Sequence, residues 1–259
     1  MIKDITLGQY YSTDSLLHRL DPRVKIRFTI AYIILLLLDR SLILFSVLTM
    51  TFLFCVVLAK VPFKHIIKGT KSIIFFVLIC SMLNMFTTTG DVLVHVIGLS
   101  VTGQGLVKSG FIFWRMMLMI FTSSIIMYTT TPTELTDGLE KCFHLSKNLA
   151  LGITIALRFI PVLFEELDRI MKAQEARGAN FRTGGPINRI KSLKTVILPL
   201  FQNAIDKATN LAEAMDARCY VGGKGRTKLK PLKYDIIDFV AYIILLTLII
   251  GCIWIAIVW

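Results

Sequence analysis

Two uncharged runs constrain this chain more than any other feature: Ser41 to Ala59, nineteen residues, and Phe239 to Trp259, twenty-one. At about 1.5 Å of rise per residue the second run covers roughly 31 Å as a helix, enough to cross a hydrocarbon core about 30 Å thick. Inside such a core the chain must satisfy its own backbone N–H and C=O groups, so runs of this kind fold as helices. Hydrophobic residues make up 55% of the chain, above the roughly 45–50% apolar usage of soluble domains. The expected fold is therefore all-α and polytopic, an integral membrane protein in a lipid bilayer.

Charge between the runs orders the remaining spans. Asp21 is placed to cap a helix with Pro22 at its first position, ahead of the uncharged stretch Phe28 to Leu38. Eleven residues are short for a span unless the stems of Lys25 and Arg27 snorkel to the headgroups. Lys3, Arg19, Arg23, Lys25 and Arg27 mark the N-terminal segment as cytoplasmic, and Lys60, Lys64, Lys68 and Lys71 mark the loop after Ala59 likewise. An even number of crossings must separate them, so Phe28 to Ala59 reads as two short spans.

A third span is expected over Ser72 to Gly90, followed by Asp91 to Val107, which contains no Lys or Arg and belongs outside. Gly98, Gly103 and Gly105 make this connection either an irregular loop or a short interfacial segment. The fourth span, Phe111 to about Tyr128, contains Arg115 near its outer end. That arginine is a functional candidate as an intramembrane charge, or a residue snorkelling to the interface. Thr131 to Leu232 carries sixteen Lys or Arg against ten Asp or Glu and is expected in the cytoplasm. The expected topology is five transmembrane helices, N-terminus in and C-terminus out. Residues 1–130 form a membrane region with four spans, 131–233 a block of long cytoplasmic helices, and 234–259 the last span.

Other classes are disfavoured by what the charges and reactive groups do. The net charge of +12 is absorbed by orientation in a polytopic chain, and no nucleic-acid partner is expected. The five cysteines lie far apart, with no C-x-x-C pair and no His at metal spacing. No metal, cofactor or catalytic residue is expected. The segment Met1 to Asp21 lacks the apolar core and cleavage site of a secretory signal, so insertion would rely on the first span.

The helical signals are strongest within 131–233. Pro132-Thr133-Glu134 opens a short amphipathic helix. Leu149 to Leu163 is nearly all apolar and passes into Glu165 to Arg177, where Glu165/Arg169 and Asp168/Lys172 are spaced i, i+4. Gly178 stands where a left-handed cap would go, and Gly184-Gly185-Pro186 breaks the chain. A second helix follows, with Ile190, Leu193, Ile197, Leu200, Ala204 and Leu211 on one face and a kink expected at Pro199. Each helix ends on an acid, an alanine and an arginine: Glu175-Ala176-Arg177-Gly178, then Asp216-Ala217-Arg218-Cys219. An arginine there can simply complement the helix dipole, worth about 0.3–1 kcal/mol. It can also grip a carboxylate through two parallel hydrogen bonds. Spacing alone leaves both readings open.

The stretches A-L-R-F-I-P-V-L-F-E-E (156–166), A-Q-E-A-R-G-A (173–179) and L-A-E-A-M-D-A-R-C-Y (211–220) resemble the signature of the T component of energy-coupling-factor transporters. S-L-L-H-R-L-D-P-R-V-K (15–25) and T-T-P-T-E-L-T-D-G-L-E (130–140) resemble further segments of that family, so the likeness covers nearly the whole chain. It implies a non-catalytic scaffold in the cell membrane of an ATP-driven vitamin or metal-ion importer. The implied partners are two cytosolic ABC-type ATPases, identical or paralogous, and a small membrane subunit that binds the substrate. The family's two X-Arg-X motifs end coupling helices and dock into the ATPases. Carried over, they fall on Ala176, Arg177 and Gly178 and on Ala217, Arg218 and Cys219, with Cys219 standing where glycine is common.

Two rivals belong to other classes. An intramembrane enzyme would need His18, His65, His95 and His144, or Asp39 and Asp91, to converge from loops on both sides of the membrane. A self-contained carrier would need paired charges, broken helices or internal repeats near the midplane, which the spans do not display.

Overall fold

A computed structural model describes residues 10–11, 13–38, 41–60, 62–87, 92–96, 99–179, 186–222 and 232–258. Its elements are α1 (Leu16–Arg19), α2 (Pro22–Leu38), α3 (Leu42–Ala59), α4 (Phe63–Thr87), a hairpin of β1 (Val92–Val96) and β2 (Leu99–Thr102), α5 (Gly103–Thr129), α6 (Pro132–Cys142), α7 (Lys147–Ala176), α8 (Pro186–Asp216) and α9 (Ile236–Val258). The architecture is that of an all-α polytopic membrane protein with one small hairpin. Among the described residues, five helices are long and apolar enough to cross a membrane: Leu42–Ala59, Gly69–Thr87, Gly103–Thr129, Lys147–Ala176 and Ile236–Trp254.

Four of the five coincide with expected spans, and the set differs from expectation in one exchange. α2 has 17 residues and rises only about 25 Å, short of the core thickness. α7, expected in the cytoplasmic block, reaches membrane length because Leu149 to Leu163 is almost uninterrupted apolar sequence. The connection after α4, expected as an irregular loop or a short interfacial segment, contains a two-stranded hairpin. Val94 pairs with Val101 and Val96 with Leu99 in an antiparallel ladder, as β-branched residues at alternate positions favour. Gly98 lies outside the described residues, as do Asp39 and Arg40.

The chain divides into two compact units. One holds Gly8–Cys142 together with Leu232–Trp259, and the other holds Phe143–Pro231. In the first, Tyr32, Leu36, Leu48, Phe52, Leu118 and Ile125 form a core shared by α2, α3 and α5. The Tyr32 hydroxyl, buried in it, donates to the Leu48 carbonyl at 2.8 Å. Outward-facing Leu38, Phe75, Phe76, Ile243 and Leu246 are 60–70% exposed, the pattern of helices that face lipid rather than water.

α2 and α9 join at their first turns. Asp238, 2% exposed, accepts from the backbone N–H of Asp21 through one oxygen and of Asp235 through the other, both at 2.8 Å. One carboxylate thus serves the starts of two helices. Arg23 donates to the Leu232 carbonyl at 3.0 Å and lies over the Tyr234 ring, and Arg27 donates to the Tyr242 hydroxyl at 2.8 Å. Lys25, 7% exposed, donates to the Thr129 carbonyl at 2.8 Å and so ties α2 to the end of α5.

α6 also packs on α2. Thr131 and Glu134 cap it reciprocally, each side chain accepting the other's backbone N–H at 3.3 and 3.2 Å, with Pro132 as the first helical residue. Gly138 faces α2 so closely that a Cβ there would lie 2.8 Å from Ile26 Cδ1 and 3.0 Å from Pro22 Cβ.

Candidate coupling site

The second unit is built on α7 and α8. Ser146 caps α7, accepting the Leu149 N–H at 3.3 Å, and Pro186 opens α8 at the position where its missing N–H costs nothing. Gly184 and Gly185 lie outside the described residues. Both helices carry an internal proline, Pro161 and Pro199.

The helices meet where Asn203 donates to Glu166 at 2.9 Å. Arg169 pairs with the same carboxylate at 3.7 Å, across i, i+3 rather than the expected i, i+4 with Glu165. On α8, Val196 is 1% exposed, whereas Ile197, expected on the helix's apolar face, is 60% exposed. The apolar stripe on α8 is broader than one contact face, and the 3.6-residue period could not tell which edge of it would pack.

Residues before Glu166 on α7 share a wedge with residues after Asn203 on α8, so the two helices run antiparallel. The wedge, about 500 Å³, has Ile155, Phe159, Val162 and Leu211 as apolar lining and Arg158, Lys207 and Arg218 as cations. Arg177 stands eleven residues past Glu166, and Arg218 fifteen past Asn203. At 1.5 Å per residue these ends lie about 16 and 22 Å from the crossing, in opposite directions along the pair.

Both ends finish in the same way. After α7, Gly178 takes φ +86°; its N–H donates to the Glu175 carbonyl at 3.0 Å, and the Ala179 N–H to the Gln174 carbonyl at 2.9 Å. After α8, Cys219 takes φ +56°; its N–H donates to the Asp216 carbonyl at 2.9 Å, and the Tyr220 N–H to the Met215 carbonyl at 3.0 Å. These are paired Schellman caps, closing the last turn with a left-handed residue. Cysteine in place of glycine leaves the cap intact. In each, the arginine is the half-helical residue immediately before the left-handed one, so Arg177 and Arg218 occupy equivalent positions. Ala176, Arg177, Gly178, Ala217, Arg218 and Cys219 are all exposed, and among the described residues neither guanidinium has a hydrogen-bond or ion-pair partner. A guanidinium held at a rigid helix end, without an internal partner, is available to an acidic surface.

The family model described as CbiQ, cobalt transport protein, matches residues 13–229, a span that includes both caps. The energy-coupling factor transporter transmembrane protein EcfT of Clostridium kluyveri is 43% identical over 258 residues, covering 96% of each chain. The chain belongs to the family of transmembrane T components of energy-coupling-factor transporters. Two further T components bear the same name: that of Ruminiclostridium cellulolyticum is 41% identical with 92% of each chain covered, and that of Bacillus subtilis 38% identical with 90% of this chain and 91% of its own covered. A T component is a multi-pass membrane subunit of a transporter, and the membrane-length helices here accord with that. Among the described residues no three His, Cys, Asp or Glu side chains are grouped so as to hold a metal ion.

Proposed function

We propose that this T component is the scaffold and energy-coupling subunit of an ATP-driven micronutrient importer. It joins two cytosolic ABC-type ATPases to a small substrate-binding membrane subunit and contains no catalytic residue. The observation that supports this reading most is the pair of matching caps. Ala176, Arg177 and Gly178 dock one ATPase, and Ala217, Arg218 and Cys219 dock the other, each arginine gripping an acidic groove. The antiparallel crossing at Glu166 and Asn203 makes α7 and α8 a single lever with one handle at each end. Closure of the ATPase pair on ATP moves the handles, and the lever passes that movement to the substrate-binding subunit. Such coupling requires the lever's two arrangements to differ in free energy when ATP is bound.

The test is ATP-dependent substrate uptake by the whole complex. Arg177→Ala/Arg218→Ala should abolish uptake while the chain still inserts, and each single substitution should lower it. Arg→Lys at both sites should restore uptake only in part, because an ammonium lacks the planar fork. Full uptake by the double alanine variant would end the proposal.

A further inference from the structure

The wedge between α7 and α8 has a composition that neither the caps nor the crossing requires. Its charged lining residues are Arg158, Lys207 and Arg218, with no acid among them. Glu166, beside the wedge, is already held by Asn203 and Arg169. Among the described residues Arg158 and Lys207 have no hydrogen-bond or ion-pair partner. Cations converging on one concavity repel one another, and an anion between them removes the repulsion.

Apart from Asn210 the rest of the lining is apolar, with Phe159, Val162 and Leu211 beside the cations. An inorganic anion would leave these side chains uncovered. The volume of about 500 Å³ falls within the roughly 300–1,000 Å³ of small-molecule sites. One wall of the wedge is α7, whose most apolar stretch is of membrane length and only 6% buried within the chain. The occupant must therefore join a compact negative charge to hydrocarbon. Basic pockets between helices at a membrane surface meet that description for anionic lipid headgroups.

We propose that the wedge binds one anionic phospholipid, its phosphate held between Arg158 and Lys207 and its acyl chains laid over Phe159, Val162 and Leu211. Arg218 lines the same wedge, so the lipid stands beside one of the two caps. The proposal does not depend on ATPase docking and can be tested with the T component alone.

The experiment is native mass spectrometry of the full chain released from phosphatidylcholine nanodiscs doped with phosphatidylglycerol. Wild type should retain one phosphatidylglycerol in preference to phosphatidylcholine, with affinity falling as salt is raised. Arg158→Gln/Lys207→Gln should weaken retention roughly tenfold or more, whereas the charge-preserving Arg158→Lys/Lys207→Arg should keep it. Equal retention by wild type and the glutamine variant would overturn the proposal, as would equal retention of the two lipids. Should the glutamine variant fail to insert, the wild-type salt series and the charge-preserving variant decide: salt-independent retention, or loss with the charges kept, contradicts the assignment. Retention of an acidic protein with no phosphatidylglycerol would also contradict it.

Discussion

Gly178 and Cys219 occupy the same left-handed position in two matching caps, at φ +86° and +56°. Nothing lies within 4 Å of a Cβ built at Gly178, so backbone conformation and not space favours glycine there. Cysteine accepts the same region at a cost on the order of 1 kcal/mol. Cys219→Gly should therefore leave the chain as stable as wild type or raise its stability by up to about 1 kcal/mol. Gly178→Val should lower it by about 1–2 kcal/mol, since a β-branched residue is the least suited to this region. Unfolding midpoints in detergent provide the check, and a Gly178→Val midpoint equal to wild type would contradict the cap assignment.

Removing the Asp238 carboxylate should loosen the joint between α2 and α9. Asp238→Ala leaves the N–H groups of Asp21 and Asp235 without their acceptor, a loss of about 2–4 kcal/mol if water does not replace it. Asp238→Asn keeps one carbonyl oxygen and should lose roughly half as much. Proteolysis of the segment before α9 would report the loosening, and an alanine variant as resistant as wild type would show that the joint matters little.

Gly138 offers a steric test of the contact between α6 and α2. Gly138→Ala forces its methyl against Ile26 Cδ1 and Pro22 Cβ, and overpacking of this kind costs about 1–3 kcal/mol. Adding Ile26→Val removes the nearest atom and should recover part of the loss; Pro22 remains and prevents full recovery. If Ile26→Val gives the glycine and alanine backgrounds the same change in stability, the close contact is absent.

Lysine at 25 and arginine at 23 and 27 show how far the sequence could be read. Their positive charge marks an expected cytoplasmic end, but composition does not reveal which neighbours they meet. Arg23 and Arg27 bind α9 and the segment before it, across more than two hundred residues of sequence, and Lys25 binds the end of α5. Contacts of that separation leave no periodic trace. The helical spans were legible because their length is imposed by the bilayer, and the start of α6 because Pro132, Thr133 and Glu134 are consecutive signals.

The hairpin after α4 was missed for a local reason. Its glycines drew attention to irregular chain, while the alternating β-branched residues Val92, Val94 and Val96 carried the strand signal. The repeated acid-Ala-Arg phrase marks where α7 and α8 end. It leaves the effect of Cys219 open, because φ is not written in a side chain that tolerates the left-handed region only with support from the turn. The wedge could not be read at all, since it depends on which residues of α7 and α8 face each other once Glu166 meets Asn203.

The most direct test of the scaffold account is co-purification from native membranes of the tagged chain, as wild type and as Arg177→Ala/Arg218→Ala, with mass-spectrometric identification of what accompanies each. The account predicts two ATPase subunits and a small membrane protein with wild type, and loss of the ATPases from the variant. Both ATPases recovered undiminished with the variant, or the wild-type chain recovered alone, would contradict it.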